Sequence, residues 1–261
     1  MAKIGLNNFW YSHLTEALDG TPSFDGAKTF GKAVSCNVNV TNNDASLYAD
    51  DALAESDTSF QSGEVSLGVD DDREATFADV LGHDVTEEGE VISNANDVAP
   101  WIGLGRIIVK MVNNVKLYKT VILYKTKFSE PSDEDSTKGE STEFSTPTIS
   151  GKIATLANGD WKDVKVFTSK DEALAYIHTT FNTTYTISYN VNGGTGEIDD
   201  VVVNYGDSTT LNTGATITPP TNKVFDGWAL SATATTKDYA GGASYTPTAD
   251  VTFYAVYKNA E

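Results

Sequence analysis

LYKTKFSEPSDEDSTKGESTEFSTPTISG, residues 123–151, holds two alternating apolar stretches with a highly charged tract between them. Leu123 to Phe128 and Thr142 to Ile153 alternate with the period of two that places every second side chain on one face of a sheet, so they read as partner strands. The tract from Ser129 to Ser141 contains Pro131, Gly139 and the charged residues Glu130, Asp133, Glu134, Asp135, Lys138 and Glu140. A loop of this length inside a compact domain is commonly functional or disordered. The fold is therefore β at this point, and the question is whether the charged tract does chemistry or meets another chain.

Working outward, Ala33 to Val40, Gly63 to Val69, Trp101 to Val112, Leu117 to Tyr124 and Glu143 to Ile153 show the same alternation and carry β-branched and aromatic residues. Two helices interrupt these strands. Thr76 is placed to cap a short one that buries Phe77, Val80 and Leu81 and stops at Gly82. Ser169-Lys170-Asp171-Glu172 has capping-box spacing, and Leu174, Ile177 and Phe181 then line one face of a longer helix. Around Thr179 to Thr184 the helical period gives way to short strands punctuated by Gly, Thr and Pro, which sets a boundary between domains at 1–182 and 183–261. In the second domain, YTISYNVNGG (185–194) is a strand ending in the turn signal Asn192-Gly193-Gly194. Val201 to Val203, Leu211, Val224 to Trp228 and Val251 to Tyr257 supply further strands, with Trp228, Tyr239, Tyr245 and Tyr254 as the expected aromatic core.

The 261 residues are 39% hydrophobic, which is adequate for real cores, and the longest apolar runs, such as Ile107-Ile108-Val109, are only a few residues. That falls far short of the roughly 20 needed to cross a membrane. MAKIGLNNFW has no continuous apolar core and no small-residue cleavage site, so no secretion signal is read and synthesis in a cytoplasm is expected. The net charge of -19 divides into -5 for the second domain and -14 for the first. Such a surface repels nucleic acid, which disfavours specific DNA or RNA binding.

The residues that usually carry chemistry are dispersed. Cys36 stands alone in an alternating stretch, which excludes an intrachain disulfide and suits a small core residue. His13, His83 and His178 are far apart; His83 follows the expected C-cap glycine and His178 lies in a last helical turn, where an imidazole suits the helix dipole. No HExxH, GxSxG or GxxxxGK[ST] pattern occurs. Asp50-Asp51, Asp70-Asp71-Asp72, Asp133-Glu134-Asp135 and Asp199-Asp200 lack the Asp-x-Asp-x-Asp-Gly spacing of a calcium loop and read as solvated loops. A glycosidase pair drawn from these acids is a minor alternative. No enzyme activity, cofactor or metal is expected.

Taken together and in this order, MAKIGLNNFWYSHL, ASLYADDALAES, GHDVTEEGEVISNANDVAPWIGLG and LYKTKFSEPSDEDSTKGESTEFSTPTISG resemble the major tail protein family of long, non-contractile-tailed bacteriophages. The resemblance spans roughly residues 1–182. It implies a siphovirus virion protein: a tail-tube β-sandwich with a flanking helix that self-assembles into hexameric rings, stacked as the conduit for DNA ejection. Its implied partners are further copies of itself, a tail-tip initiator, a tape-measure protein and a tail terminator, with DNA passing through the lumen without sticking. Tyr189-Asn190-Val191-Asn192-Gly193-Gly194, Phe225-Asp226-Gly227-Trp228 and the ending DVTFYAVY (250–257) resemble the Listeria-Bacteroides repeat, a small β-grasp-like module, with Tyr257 where Trp is common.

The fold expected is thus mainly β with some α, a tube-type sandwich followed by a β-grasp-like decoration domain. Subunit contacts are expected from Tyr48, Asp50, Asp51 and Glu55, and from Phe128, Pro131, Asp133, Lys138 and Phe144. The segments Tyr48 to Glu55 and Ser129 to Ser141 are expected to become ordered on assembly. An acidic lumen follows from the first domain's charge. The alternative function is a carbohydrate- or host-surface-binding module that holds host-surface glycans on Trp228, Tyr239 and Tyr245.

Overall fold

A computed structural model describes residues 2–71, 73–132 and 146–260. The chain divides into two compact units, Met1–Phe181 and Asn182–Glu261. In chain order the first unit contains β1 (Ala2–Glu16), β2 (Pro22–Phe24), β3 (Lys28–Gly31), β4 (Ala33–Asn42), β5 (Ala45–Ala49), β6 (Ala52–Asp57), β7 (Phe60–Val69), α1 (Glu74–Leu81), β8 (Asp84–Val85), β9 (Val91–Ile92), β10 (Ile102–Val112), β11 (Val115–Ser129), β12 (Thr148–Ala154), β13 (Lys162–Phe167) and α2 (Lys170–Thr180).

The chain is mainly β, and the first unit is built on one large antiparallel sheet with the order β2-β1-β10-β11-β12-β7-β4. Its shape comes from the long strand β11. One edge of β11 pairs with β10. Along the other edge, Tyr118 to Leu123 pair with β13 and Lys125 to Ser129 pair with β12. The sheet therefore branches at β11, and the layer β12-β7-β4 turns over the layer β13-β11-β10-β1, bringing β4 back against β1. The two layers of the expected sandwich are one continuous hydrogen-bonded sheet. The partner strands read from residues 123–151 are present as the β11–β12 ladder, with Thr126 opposite Ile153 and Phe128 opposite Gly151.

Alternation along the strands feeds two cores. Phe9 and Tyr11 of β1, Ile102 and Leu104 of β10, and Leu123 of β11 join Phe30, Leu67, Phe77, Leu81, Phe128 and Ile149 between the layers. Trp10, Ile107 and Ile122 point to the other face, where they meet Ala173, Ile177 and Phe181 of α2 and its C-cap. With both faces covered, β10 is buried without alternation from Ile102 to Ile108. Gly103 and Gly105 lie on the face toward α2. A Cβ at Gly103 would come within 2.6 Å of Phe24 and 2.7 Å of Phe181, so the absence of a side chain is what lets the helix end sit against the strand.

Both helices form, with one change at a cap. Ser169 caps α2 by accepting a hydrogen bond from the Asp171 N–H at 3.2 Å, and Asp171 and Glu172 occupy its first turn. In α1 the N-cap is Arg73, without a side-chain cap, and Thr76 lies inside the helix, its N–H donating to the Arg73 carbonyl. Gly82 ends α1 in the left-handed conformation, as expected. The longest strand without an expectation in the sequence is β1, and β13 and the short strands β2, β3, β5, β6, β8 and β9 have none either. Residues 143–145 of the expected strand 143–153 lie outside the described residues, and the strand is seen from Thr148.

The second unit contains β14 (Thr184–Asn190), β15 (Val201–Asn204), β16 (Thr209–Thr210), β17 (Lys223–Ala229), β18 (Ser244–Tyr245) and β19 (Val251–Asn259). Its curled sheet has the order β15-β14-β19-β17, with β14 and β19 parallel at the centre and the outer pairings antiparallel. The expected turn is present, with positive φ at Asn192 and Gly193. Ile187, Val203, Leu211, Ile217, Trp228, Phe253 and Ala255 form the core. Phe253 takes the place expected for Tyr254, because the register of β19 turns Tyr254 away from it.

Candidate assembly surface

The segment expected to meet another subunit, Tyr48 to Glu55, is a β-hairpin that stands off the main sheet. Asp50 and Asp51 form its turn with φ of 50° and 58°. Positive φ at both central residues is the signature of the tight hairpin turn that matches the twist of its strands. This is why two acids, rather than a longer loop, connect β5 to β6. Ala49 pairs with Ala52, Tyr48 with Leu53 and Leu47 with Glu55.

The root of the hairpin is tied by polar groups. Asn43 Nδ2 donates to Asp57 at 3.1 Å and to Ser59 Oγ at 2.9 Å, and the Ser59 N–H donates to the Asp57 carboxylate at 2.9 Å. The Ser59 backbone bond leads in holding the Asp57 carboxyl below its ordinary range. Beyond this root every residue of both strands is exposed. Leu47, Tyr48 and Leu53 are 60%, 68% and 57% accessible. A lone two-stranded hairpin is marginal in water, and one that carries three large exposed apolar side chains and two edges unpaired among the described residues is a surface suited to another chain.

The second expected contact segment divides differently. Phe128 is 2% exposed and its ring lies 5.5 Å from that of Phe30, so the expectation of a contact residue is corrected: a register shift in β11 between Leu123 and Thr126 resets the alternation and turns Phe128 into the inter-layer core. Pro131 is half-buried. Asp133, Lys138 and Phe144 lie outside the described residues, as do Asp72, Glu134, Asp135 and Glu140.

Where β11 ends, Glu130 meets a histidine. His83 Nδ1 lies 2.7 Å from Asp97 and its Nε2 lies 3.0 Å from Glu130, which fastens the end of β11 to the connection between α1 and β10. The Asp97 bond, joined by Glu130, holds the His83 pKa above its ordinary value. Its expected role at a helix terminus is thus joined by two carboxylates distant in sequence. His178, in the last turn of α2, is buried, and that burial lowers its pKa.

A polar cluster that sequence reasoning missed surrounds β1. Ser12 Oγ donates to Asp25 at 2.9 Å, His13 lies 3.4 Å from Asp25 and 3.2 Å from Asp79, and Tyr11 Oη donates to Asp79 at 2.7 Å. Lys28 joins both carboxylates. The only sequence signal is the juxtaposition Tyr11-Ser12-His13, and the carboxylates come from separate elements. These bonds tie β1 to the β2–β3 connection and to α1. The acidic runs also have structural work: Asp70 accepts from the Lys32 N–H at 2.8 Å and pairs with its ammonium, while Asp199 and Asp200 are exposed. Among the described residues, no group of three His, Cys, Asp or Glu side chains is arranged to hold a metal ion, and no helix is long and apolar enough to cross a membrane.

The aromatics of the second unit expected to hold a ligand belong to its core cluster. Trp228 is fully buried, with its Nε1–H donating to the Asn212 carbonyl at 2.6 Å, which corrects its candidacy as a surface-ligand residue: it packs in the core with Ile187, Leu211 and Phe253. Tyr239 and Tyr245 are half-buried and set edge-on against Phe253, at centroid distances of 5.5 and 5.1 Å. Tyr257 Oη donates to the Val191 carbonyl at 2.6 Å, locking β19 to the loop that follows β14. Residues 185–256 match the model of the Listeria-Bacteroides repeat domain family. The second unit therefore contains a Listeria-Bacteroides repeat domain. The repeat's quoted residues accordingly mark packing positions here, Trp228 and Tyr257 among them. No curated protein matches the chain.

Proposed function

We propose that this chain is a structural virion protein, the major tail-tube subunit of a long, non-contractile-tailed bacteriophage, acting without catalysis. On this reading the first unit assembles with further copies into stacked hexameric rings that conduct DNA at ejection. The Listeria-Bacteroides repeat domain is displayed on the outside. A tail-tip initiator, a tape-measure protein and a terminator would start, measure and end the tube.

The observation that carries the reading is the β5–β6 hairpin, whose exposed Leu47, Tyr48 and Leu53 and open edges provide a surface for association that no described part of the monomer covers. The order of the tail-protein-like stretches over residues 1–182 supports the specific assignment. The net charge of -19 suits a conduit whose wall repels phosphate.

Electron microscopy across a concentration series, with light scattering on the same samples, tests it. Hollow six-fold rings or tubes are expected, with knobs that disappear when residues 185–261 are deleted. A chain that stays monomeric at every concentration, even beside its initiator, would overturn it. The alternative, a glycan-binding module, loses its strongest stacking residue because Trp228 is buried.

A further inference from the structure

The space between the layers of the first unit is not filled to its end. A cavity of about 550 Å³ opens there, lined by alternate residues of five strands. Cys36, Val38 and Val40 come from β4, Arg106 and Ile108 from β10, Lys119 and Val121 from β11, Lys162 and Val164 from β13, and Lys3 from β1. The volume lies within the range of small-molecule sites.

Its charge is opposite to that of the rest of the protein. The chain has 37 Asp and Glu against 18 Lys and Arg, yet among the described residues four cations and no carboxylate line this cavity. Arg106 is 8% exposed, and its Nη1 is buried without a hydrogen-bond partner among the described residues. A buried, unpaired guanidinium is costly unless an anion completes it. Lys119 feels the same imbalance: burial first, then Lys110, Lys162, Lys3 and Arg106, depress its pKa. Apart from the Cys36 thiol, the remaining wall is apolar and largely aliphatic.

We propose that this cavity binds a carboxylate carried on a short apolar stem, anchored by the Arg106 guanidinium. The guanidinium presents a planar fork that matches two carboxylate oxygens. The strands that carry Arg106 and Lys119, β10 and β11, are hydrogen-bonded along both edges, so the backbone beside these two cations offers no nest to a phosphate. Leu6, Val38, Ile108 and Val121 accommodate the stem, and the exposed Lys3 and Lys162 steer the charge inward. The same chemistry has two sources: a free aliphatic monocarboxylate, or a second copy of this chain, whose hairpin tip sets Asp50 and Asp51 beside Tyr48 and Leu53. The second source rests on the assembly reading and the first does not.

Arg73 and Arg106 are the only arginines, so the side-chain Nε–H signals of the full-length protein report the anchor directly. Titration with sodium octanoate at constant ionic strength should move the Arg106 signal saturably and leave Arg73 in place. Arg106→Met removes an unpaired buried charge and should fold, with octanoate binding weakened by at least about tenfold. Val164→Glu, at an exposed position on the rim, should block binding with a carboxylate of its own. An Arg106 signal unmoved by millimolar octanoate would overturn the proposal, as would an equal response to inorganic phosphate. Light scattering then separates the sources. If octanoate and the double variant Asp50→Asn/Asp51→Asn both suppress self-association, the ligand is the second copy. If octanoate binds and association is unchanged, the ligand is free, whatever the fate of the tail-tube reading.

Discussion

Gly103 illustrates how a single missing side chain positions an element. With Phe24 and Phe181 packed where its Cβ would be, Gly103→Ala should destabilise the first unit by about 1–3 kcal/mol, the range of core overpacking. Denaturant unfolding measures it. Phe128→Ala should cost about 3–5 kcal/mol, as for a buried aromatic ring, and a loss of association without loss of stability would restore it as a contact residue. Tyr257→Phe removes the hydroxyl bonded to Val191 and should cost the second unit about 1 kcal/mol. His83 couples stability to pH. Its folded pKa is raised, chiefly by Asp97, so its stabilisation is complete below the ordinary histidine value of 6.5 and is lost as pH rises through the folded value. Melting temperature followed across that range should fall with rising pH by more in the wild type than in His83→Asn.

At the scale of elements, the hairpin is separable from the fold that bears it. Leu47→Ser with Leu53→Ser should alter unfolding free energy by no more than about 0.5 kcal/mol, since both residues are exposed, while abolishing self-association. Sedimentation measures the second effect. Elements differ in how plainly they could be read beforehand. The helix α2 was legible because its Ser169 cap and its Ile177–Phe181 face lie within one short window. The strands β4, β7, β10 and β11 were legible from alternation. The strand β1 was not, because its pairing with β10 shifts register between Lys3 and Gly5 and again between Leu6 and Phe9, which breaks the period. The hairpin β5–β6 shows in the sequence only as a contact segment. Its exposed strands bury no face, so no apolar alternation announces them.

The whole molecule combines a strongly acidic surface with a cavity that concentrates four cations. Its two compact units each have a core of their own. Composition and alternation determined that the chain is mainly β, and the aromatic and glycine positions of residues 185–256 identified the repeat domain, because these signals are local. Only the tertiary structure decided that Phe128 and Trp228 are core, that His83 bridges Asp97 and Glu130, and that Lys3, Arg106, Lys119 and Lys162 share one cavity. The reason is physical. A period of two states which residues share a face of one strand, whereas the neighbours across a folded sheet are set by the branching of β11 and by a register such as that of β1 on β10, which pairs Ala2 with Met111.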